Sequence, residues 1–400
     1  MRFLATWLPT PALWRLPQSQ YWRQGATVHK NYDLVFWQNI PSLHQAPLMR
    51  ALTSGLGKRV LVVVAGDVSS DRLAMGWEGI DYGDADLVVK PSLSEIKDIV
   101  GENRDATAHI FSGVNAYPGI STAMKVLSQG HHRHVAIITE PWDPRGTRGR
   151  LRSLKFALRS RSWQHVHTLF ACGVLAREQF ARLGCESDKI ASFGYFVDRP
   201  SGNTVITRVA QPSVMFIGTL TDRKDPRSLV QALALTPTGS WHLTMVGDGP
   251  LREAILADVD ELNLSGRVNF VPRLANDKLR DALAVCDVLV LPSQYDGWGA
   301  VVSEALMAGT PVIVSATSGS SDFVSSYLQG EVIQAGRPNE IAQALGRRWS
   351  SSPTTADARS ALRDWANEAI SPRAAAEYLW RTVSREEGTP TLPAPWNKSV

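Results

Sequence analysis

The sequence predicts an α/β protein in which two doubly wound, mostly parallel sheets face each other across a cleft. Three observations support this fold class. The chain has 400 residues, which exceeds one typical domain. Short apolar runs of strand length alternate with helical stretches along most of it. The alternation pauses at Asp198–Pro212, where proline, glycine and polar residues collect, and then starts again.

The first domain is assigned to residues 1–198. Residues 1–30 are atypical because they place Trp and Tyr side chains among prolines, and we interpret them as an extension that packs on this domain or touches a membrane interface. The strand-like runs are Asp33–Gln38, Arg59–Val64, Asp86–Val89, Ala108–Phe111, Val135–Thr139 and Thr168–Cys172, and the helical stretches are Ala46–Thr53, Ser94–Val100, Ser121–Gln129 and Leu175–Leu183. Ligands are expected at the carboxyl ends of such strands.

A linker at residues 199–212 leads into a second domain at 213–370. Its strand-like runs are Ser213–Ile217, Trp241–Val246, Val268–Val271, Asp287–Leu291 and Val312–Ser315. A last helix is assigned to residues 371–387. The tail at 388–400 is rich in proline, and we expect it to be loose.

Composition favours a globular chain in a reducing compartment. Hydrophobic residues make up 44% of the sequence, and no apolar run reaches the ~18 residues that a membrane span requires. Prolines interrupt the segment Met1–Pro17, which argues against a signal peptide. Cys172, Cys185 and Cys286 form no Cys-x-x-Cys pair and suit a reducing cytosol. We therefore expect a cytoplasmic protein.

Positive charge is concentrated in one short stretch. The formal net charge is +4, and much of the excess lies in Arg145–Arg161, where Leu151, Leu154 and Leu158 interleave with basic residues. This pattern is typical of a basic amphipathic helix that rests on an anionic membrane surface. It equally fits binding of a phosphorylated acceptor, or a solvated helix with one buried face. Nucleic acid is not an expected partner, because the patch is short and no aromatic-rich platform accompanies it.

The most informative stretch is residues 296–312, which read DGWGAVVSEALMAGTPV. They follow a strand-like run. Ala300–Met307 reads as a helix that Gly309 and Pro311 end. Asp296 is therefore expected in a loop between a strand and a helix.

This loop has the residue types that a nucleotide-sugar site requires. The backbone of Gly297, Trp298 and Gly299 can approach a ligand closely, and the amides of the first helical turn attract phosphate. Glu304 lies about one turn further along, where a carboxylate can accept hydrogen bonds from sugar hydroxyls. Asp296 and Glu304 thus supply two carboxylates beside a diphosphate-binding helix end.

The spacing of Asp296 and Glu304 resembles the acid-x7-Glu signature of retaining glycosyltransferases with the GT-B fold, in particular their family 4. The resemblance extends through most of the second domain. It implies two Rossmann-like domains and a C-terminal helix that crosses back to the first domain.

Further motifs in the second domain are similar to that family. Gly218 and Thr219, followed by Arg223 and Lys224, resemble the loop whose cations hold the nucleotide diphosphate. Lys224 matches the family's lysine. Thr219 stands where an arginine is usual, and Arg223 is a candidate substitute. Two further candidates for nucleotide contacts are a glycine in a Gly-rich turn and an arginine in the loop lining the base pocket, Gly247 and Arg273.

The first domain offers two candidates at strand ends. His44 lies in the loop after the first strand, and the matching loop of GT-B enzymes faces the donor sugar and acceptor. Glu140 ends another strand, near the point where many family members carry a histidine that contacts the donor sugar. We interpret Glu140 as a group that orients a sugar or acceptor hydroxyl.

The resemblance implies a retaining hexosyltransferase that moves a hexose from a UDP- or GDP-linked donor to a glycan or lipid-linked oligosaccharide in bacterial-type surface polysaccharide biosynthesis. No cofactor or metal is expected, and the Asp-x-Asp strings at 84–86 and 258–260 are interpreted as chance surface acids. The candidate catalytic residues are Asp296, Glu304, Lys224, Glu140 and His44. Alternatives are a GT-B phosphorylase or epimerase, or a non-catalytic module that binds a nucleotide sugar or lipid.

Overall fold

A computed structural model describes residues 31–68, 79–102, 106–113, 118–130, 132–160, 165–199, 211–236, 241–274, 276–350, 355–386 and 389–397. The predicted extension at 1–30 lies outside the described residues, and so does most of the predicted linker at 199–212.

The first domain contains a sheet of parallel strands with helices between them. The strands are Leu34–Gln38 (β1), Val60–Val64 (β2), Asp86–Val89 (β3), Ala108–Ser112 (β4), His134–Thr139 (β5), Thr168–Cys172 (β6) and Ile190–Phe193 (β7). The helices are Ala46–Arg50 (α1), which continues into the π-helical turn Ala51–Gly55, and Leu93–Glu102 (α2), Pro118–Leu127 (α3), Gly146–Ser160 (α4) and Val174–Arg182 (α5). The strand order is β3-β2-β1-β4-β5-β6-β7.

The second domain repeats this arrangement with a smaller sheet. Its strands are Ser213–Ile217 (β8), His242–Val246 (β9), Val268–Val271 (β10), Val288–Leu291 (β11), Val312–Ser315 (β12) and Gly330–Ile333 (β13). The helices are Pro226–Ala234 (α6), Arg252–Glu261 (α7), Asn276–Val285 (α8), Ala300–Ala308 (α9), Pro338–Ser350 (α10), Ala356–Ala369 (α11) and Pro372–Val383 (α12). The order is β10-β9-β8-β11-β12-β13, again with parallel pairing.

The predicted α/β class with two parallel sheets is confirmed. Continuous β-branched and aliphatic runs such as Val60–Val64 are buried along their whole length, as expected for strands covered by helices on both faces. The sequence did not predict β7 and β13. Both are short edge strands with interrupted apolar runs: β7 contains a serine, and β13 contains a glycine and a glutamate.

The last helix crosses back to the first domain, as the resemblance implied. Helix α12 packs against α1 and against the π-helical turn that follows it. Tyr378 of α12 makes an edge contact with Phe170 of β6, with ring centroids 6.4 Å apart. No helix in the described part of the chain has the length and apolar character that crossing a membrane requires.

The expectation of a loose tail is wrong for residues 389–397. Trp396 is 1% exposed and packs on Phe323 and Phe196, with centroids 5.0 and 5.6 Å away. Its indole Nε1 donates to Asp322 Oδ2 at 3.1 Å. A single large aromatic residue therefore anchors a segment whose proline content predicted disorder.

The two domains touch through backbone at glycines. A Cβ atom on Gly173 would lie 2.3 Å from the carbonyl oxygen of Gly319 in the second domain. One on Gly319 would lie 3.2 Å from the carbonyl oxygen of Cys172 in the first domain and 2.3 Å from that of Gly297 in its own domain. Gly173 also has φ 82°, a conformation that L side chains rarely adopt. A Cβ on Gly194 would lie 2.3 Å from Cη2 of Trp298. Larger residues at these positions would separate the domains.

Substituting Gly194 by Ala should destabilise the protein by about 1–3 kcal/mol, because the added methyl group overpacks the contact with Trp298. The measurement is the unfolding midpoint in urea together with its slope. The matched control is Gly346→Ala within α10, where nothing lies within 4 Å of the added Cβ. That control should be neutral or stabilising by up to about 1 kcal/mol. Equal midpoints for both variants would contradict the proposed overpacking.

Candidate functional site

The candidate site lies where the strands of the second sheet end. The loops after β8 and β9 pack so closely that a Cβ on Gly247 would lie 2.0 Å from the carbonyl oxygen of Gly218. The Gly247 amide donates to Val271 O at 2.9 Å, which ties in the loop after β10. Thr219 and Arg273 are exposed at this edge. The structure therefore brings these predicted nucleotide-binding positions to one rim.

Lys224 and Asp296 form an ion pair on this rim. The Lys224 ammonium contacts Asp296 Oδ2, and both side chains are largely buried. Arg223 Nη1 lies 3.6 Å from the other carboxylate oxygen and donates to Tyr295 O at 3.1 Å. The diphosphate-binding lysine and the sugar-binding acid that the sequence predicted separately are therefore direct neighbours.

Helix α9 presents an uncapped N-terminus to the same rim. Gly299 precedes it with φ 90°, and no described side chain caps this end. The Val302 amide turns back to Gly299 O at 3.0 Å. The earlier amides of the first turn have no intrahelical acceptor, as at any helix start. Together with the helix dipole, they form a site that favours an anion.

Glu304 lies in the second turn of α9. Its side chain forms no hydrogen bond to a described residue. Helix α9 packs on α8, and the guanidinium of Arg280 on α8 is the positive charge that acts on the Glu304 carboxylate. Burial raises the pKa of Glu304 to about 7, and Arg280 offsets this only in part. A desolvated carboxylate without a hydrogen-bond partner is a strong acceptor for ligand hydroxyls.

The first domain contributes a wall that faces this loop. Glu140 follows β5, and a Cβ on Gly297 would lie 2.3 Å from Glu140 Oε2. The Tyr195 hydroxyl donates to the other oxygen of Glu140. The His44 ring stacks on Tyr195 with centroids 5.5 Å apart. The structure therefore brings Glu140 to the glycine loop of the second domain and links His44 to it through Tyr195.

The Trp298 side chain is buried between the two domains. Its indole is 2% exposed and makes edge contacts with Tyr195 and Phe323, at 6.1 and 4.9 Å between centroids. Nε1 donates to Ser303 Oγ at 3.3 Å. The side chain thus joins the domains, and only the backbone of Trp298 remains at the loop.

Sequence reasoning missed two supports of the site. One is Tyr195, whose hydroxyl orients Glu140. The other is the segment 317–320: the Asp296 amide donates to Thr317 O at 2.9 Å, and Ser318 Oγ donates to Trp298 O at 2.8 Å. The run of small residues Ser318–Ser321 was the available signal, since close backbone packing requires small side chains.

The Asp-x-Asp strings make structural contacts. Asp258 accepts from Arg227 Nε at 2.6 Å, and Asp86 accepts from the Tyr32 hydroxyl at 2.6 Å. Within the described ranges, no group of three or more His, Cys, Asp or Glu side chains is arranged to hold a metal ion.

The architecture and this rim together define a class of protein. Two Rossmann-like domains that meet across strand-end loops, with the C-terminal helix packed on the first domain, make up the GT-B fold. Solved structures agree. HepE from Anabaena in complex with UDP has a TM-score of 0.65 at 16% identity, covering 88% of this chain and 99% of that chain. The apo lipopolysaccharide outer core galactosyltransferase WaaB has a TM-score of 0.63 at 16% identity, covering 88% and 98%.

Sequence comparison points to the second domain in particular. Residues 207–365 match the family described as glycosyl transferases group 1. The chain is 32% identical over 157 residues to a 2-deoxystreptamine glucosyltransferase of Streptomyces kanamyceticus, covering 38% of this chain and 40% of that protein. It is 31% identical over 134 residues to the lipopolysaccharide core biosynthesis glycosyltransferase LpsE of Rhizobium meliloti, covering 34% and 38%. These matches span about two fifths of each relative's length.

Glu304 should make stability depend on pH. Its pKa rises from 4.5 to about 7 on folding, so the native state favours the protonated form. The associated stability is present below pH 4.5 and is lost as pH rises through about 7. Glu304→Gln should therefore gain stability relative to wild type between pH 5 and pH 8, by on the order of 1–3 kcal/mol.

The measurement is the unfolding free energy of both proteins at these two pH values. Glu261→Gln, an exposed position at the end of α7, is the matched control and should leave the pH dependence unchanged. A constant difference between wild type and Glu304→Gln across this range would show that Glu304 does not titrate with a raised pKa.

Proposed function

We propose that this protein is a glycosyltransferase that moves a hexose from a nucleoside-diphosphate sugar to a glycan or lipid-linked acceptor. The observation that carries the proposal is the convergence of Lys224, Asp296 and the uncapped start of α9 on one rim of the interdomain cleft. The match of residues 207–365 to glycosyl transferases group 1 supports it. The structural relatives include complexes with UDP and with UDP-glucose, which supports a UDP-linked donor; GDP is the alternative.

The charges on the rim suit departure of a diphosphate. Lys224 is paired with Asp296. A donor diphosphate beside the ammonium would let Lys224 bridge the phosphate and the carboxylate, while the first amides of α9 face the same anion. This arrangement stabilises the charge that develops as the bond from sugar to diphosphate breaks. We assign Asp296 to the sugar hydroxyls and Glu304 to the ribose.

The acceptor is assigned to the first domain. Glu140 and His44 line the side of the cleft opposite Gly297 and are coupled through Tyr195. A carboxylate held by a tyrosine hydroxyl can orient an acceptor hydroxyl toward the sugar. We propose retention of configuration by positioning of both substrates, in a cytoplasmic enzyme of surface polysaccharide biosynthesis that associates with the inner face of the membrane.

Turnover tests the proposal. Purified protein should release free nucleoside diphosphate from UDP-hexose or GDP-hexose only when an acceptor extract is present. Lys224→Gln should lower kcat by about 100- to 1000-fold, because it removes one cation from the developing charge. Lys224→Arg should recover part of the rate. The control Lys189→Gln removes a partly exposed cation elsewhere in the first domain. Turnover of neither donor, or full activity of folded Lys224→Gln, would refute the assignment.

Activity should not depend on a divalent metal. If Lys224 and the helix amides neutralise the diphosphate, EDTA should leave the rate within about twofold of its untreated value, since no further cation is required for charge stabilisation. The assay measures release of nucleoside diphosphate with EDTA and then with added Mn²⁺ or Mg²⁺. Loss of activity in EDTA with recovery on adding metal would overturn the metal-independent mechanism.

A further inference from the structure

Helix α4, Gly146–Ser160, carries its leucines on the side away from the protein. Leu151, Leu154 and Leu158 are 53, 57 and 59% exposed. Their spacing of three and four residues places them on one face of a helix. An ordinary amphipathic surface helix would bury this face. The exposed face is therefore not explained by packing within the described part of the chain.

The opposite face of α4 is attached to the first domain. Phe156 is 4% exposed and packs on Trp142 and Phe180, with centroids 5.4 and 5.1 Å away. The Trp142 indole donates to Ser153 Oγ at 3.1 Å. The helix is thus fixed by a small aromatic contact, and this contact sets the direction in which the leucines point.

Cations flank the leucine stripe. Arg148, Arg150 and Lys155 are exposed, and α4 contains no acidic residue. On a helical wheel, Arg150 lies on one side of the stripe, and Arg148 and Lys155 lie on the other. Long basic side chains in this arrangement keep their charged ends in water while their stems follow an apolar surface.

This arrangement identifies a partner. The apolar surface of a second protein would cover the leucines, but such a partner would not account for the positive charges on both sides of the stripe. A bilayer with anionic headgroups complements both features, because its acyl region accepts the leucines and its phosphates accept the cations. We propose that the outward face of α4 docks the protein on an anionic membrane surface.

The position of α4 connects docking with the cleft. The segment 141–145 alone joins Glu140, which abuts Gly297, to the first residue of α4. Tyr295, which precedes Asp296, lies within electrostatic range of Asp143 and Arg152. A protein docked through α4 would therefore hold the mouth of its cleft near the membrane plane. Resting on the proposed function, this implies an amphiphilic acceptor taken from that surface.

Co-sedimentation with vesicles tests the docking face. The full-length protein should bind vesicles of phosphatidylglycerol and phosphatidylcholine and not vesicles of phosphatidylcholine alone. The triple variant Arg148→Gln/Arg150→Gln/Lys155→Gln should lose about 100-fold in partitioning at low salt, at the usual contribution of each basic residue near an anionic surface. The triple variant Leu151→Ser/Leu154→Ser/Leu158→Ser should lose about 10-fold or more at any salt concentration.

Matched controls make the same types of substitution at positions outside α4. Arg182→Gln/Lys189→Gln/Arg373→Gln removes the same charge elsewhere, and Leu235→Ser removes an equally exposed leucine. These controls should bind vesicles like wild type. If the controls lose as much vesicle binding as the α4 variants, binding depends only on net charge or on total exposed apolar surface. That result would overturn the assignment of α4 as the docking face.

Three further results would overturn the proposal. The wild-type protein could fail to bind anionic vesicles, or both α4 variants could bind them normally. Alternatively, the wild-type protein could be a dimer that does not bind vesicles and that the leucine substitutions convert to a monomer. In that case a second copy of the chain would cover the leucines. Calorimetric binding of UDP and GDP in solution separates this proposal from the transferase assignment. The α4 variants should keep nucleotide affinity, whereas a failed transferase assignment would leave vesicle binding intact.

Discussion

The cleft depends on backbone-to-backbone contact between the domains. Gly173, Gly319 and Gly297 approach so closely that a Cβ on Gly173 or Gly319 would lie 2.3 Å from a neighbouring carbonyl oxygen. Because the contact is made by main chain, it fixes the position of the loop at Gly297 relative to the end of β6. Beside it, Arg177 Nη2 lies 2.9 Å from Asp322 Oδ1. Each site residue of the first domain reaches the second only because the domains meet this closely.

Two carboxylates of the second domain have different surroundings. The largely buried Asp296 is paired with Lys224, and Arg223 Nη1 lies 3.6 Å from its other oxygen. Glu304 has no comparable partner, and burial raises its pKa to about 7. The first arrangement places an ion pair beside the uncapped start of α9. The second arrangement leaves the Glu304 carboxylate without a hydrogen-bond donor. A hydroxyl of a bound ligand would supply that donor and so offset the cost of burying the carboxylate. A protein can retain such a group when binding depends on it.

The second-domain site could be predicted largely from local sequence, and the first-domain side only in part. Lys224, Asp296 and Glu304 lie within strand-loop-helix units whose geometry is set locally by glycines and helix stops. Lys224 and Asp296 meet because parallel strands end at one edge of a sheet. Glu140 and His44 were identified by their place at strand ends. Their coupling through Tyr195 depends on side-chain packing between distant segments, which no local pattern encodes.

The sequence by itself determined the α/β alternation and most of the strands, because hydrophobic periodicity and turn residues act over a few neighbours. Tertiary structure decided which way side chains face. The Trp298 side chain packs between the domains, and Trp396 is buried in a tail that its proline content predicted to be loose. The leucines of α4 point outward because Phe156 packs on Trp142. The physical reason is that the hydrophobic effect favours burial of an apolar residue but has no direction, so it does not specify which surface will cover that residue.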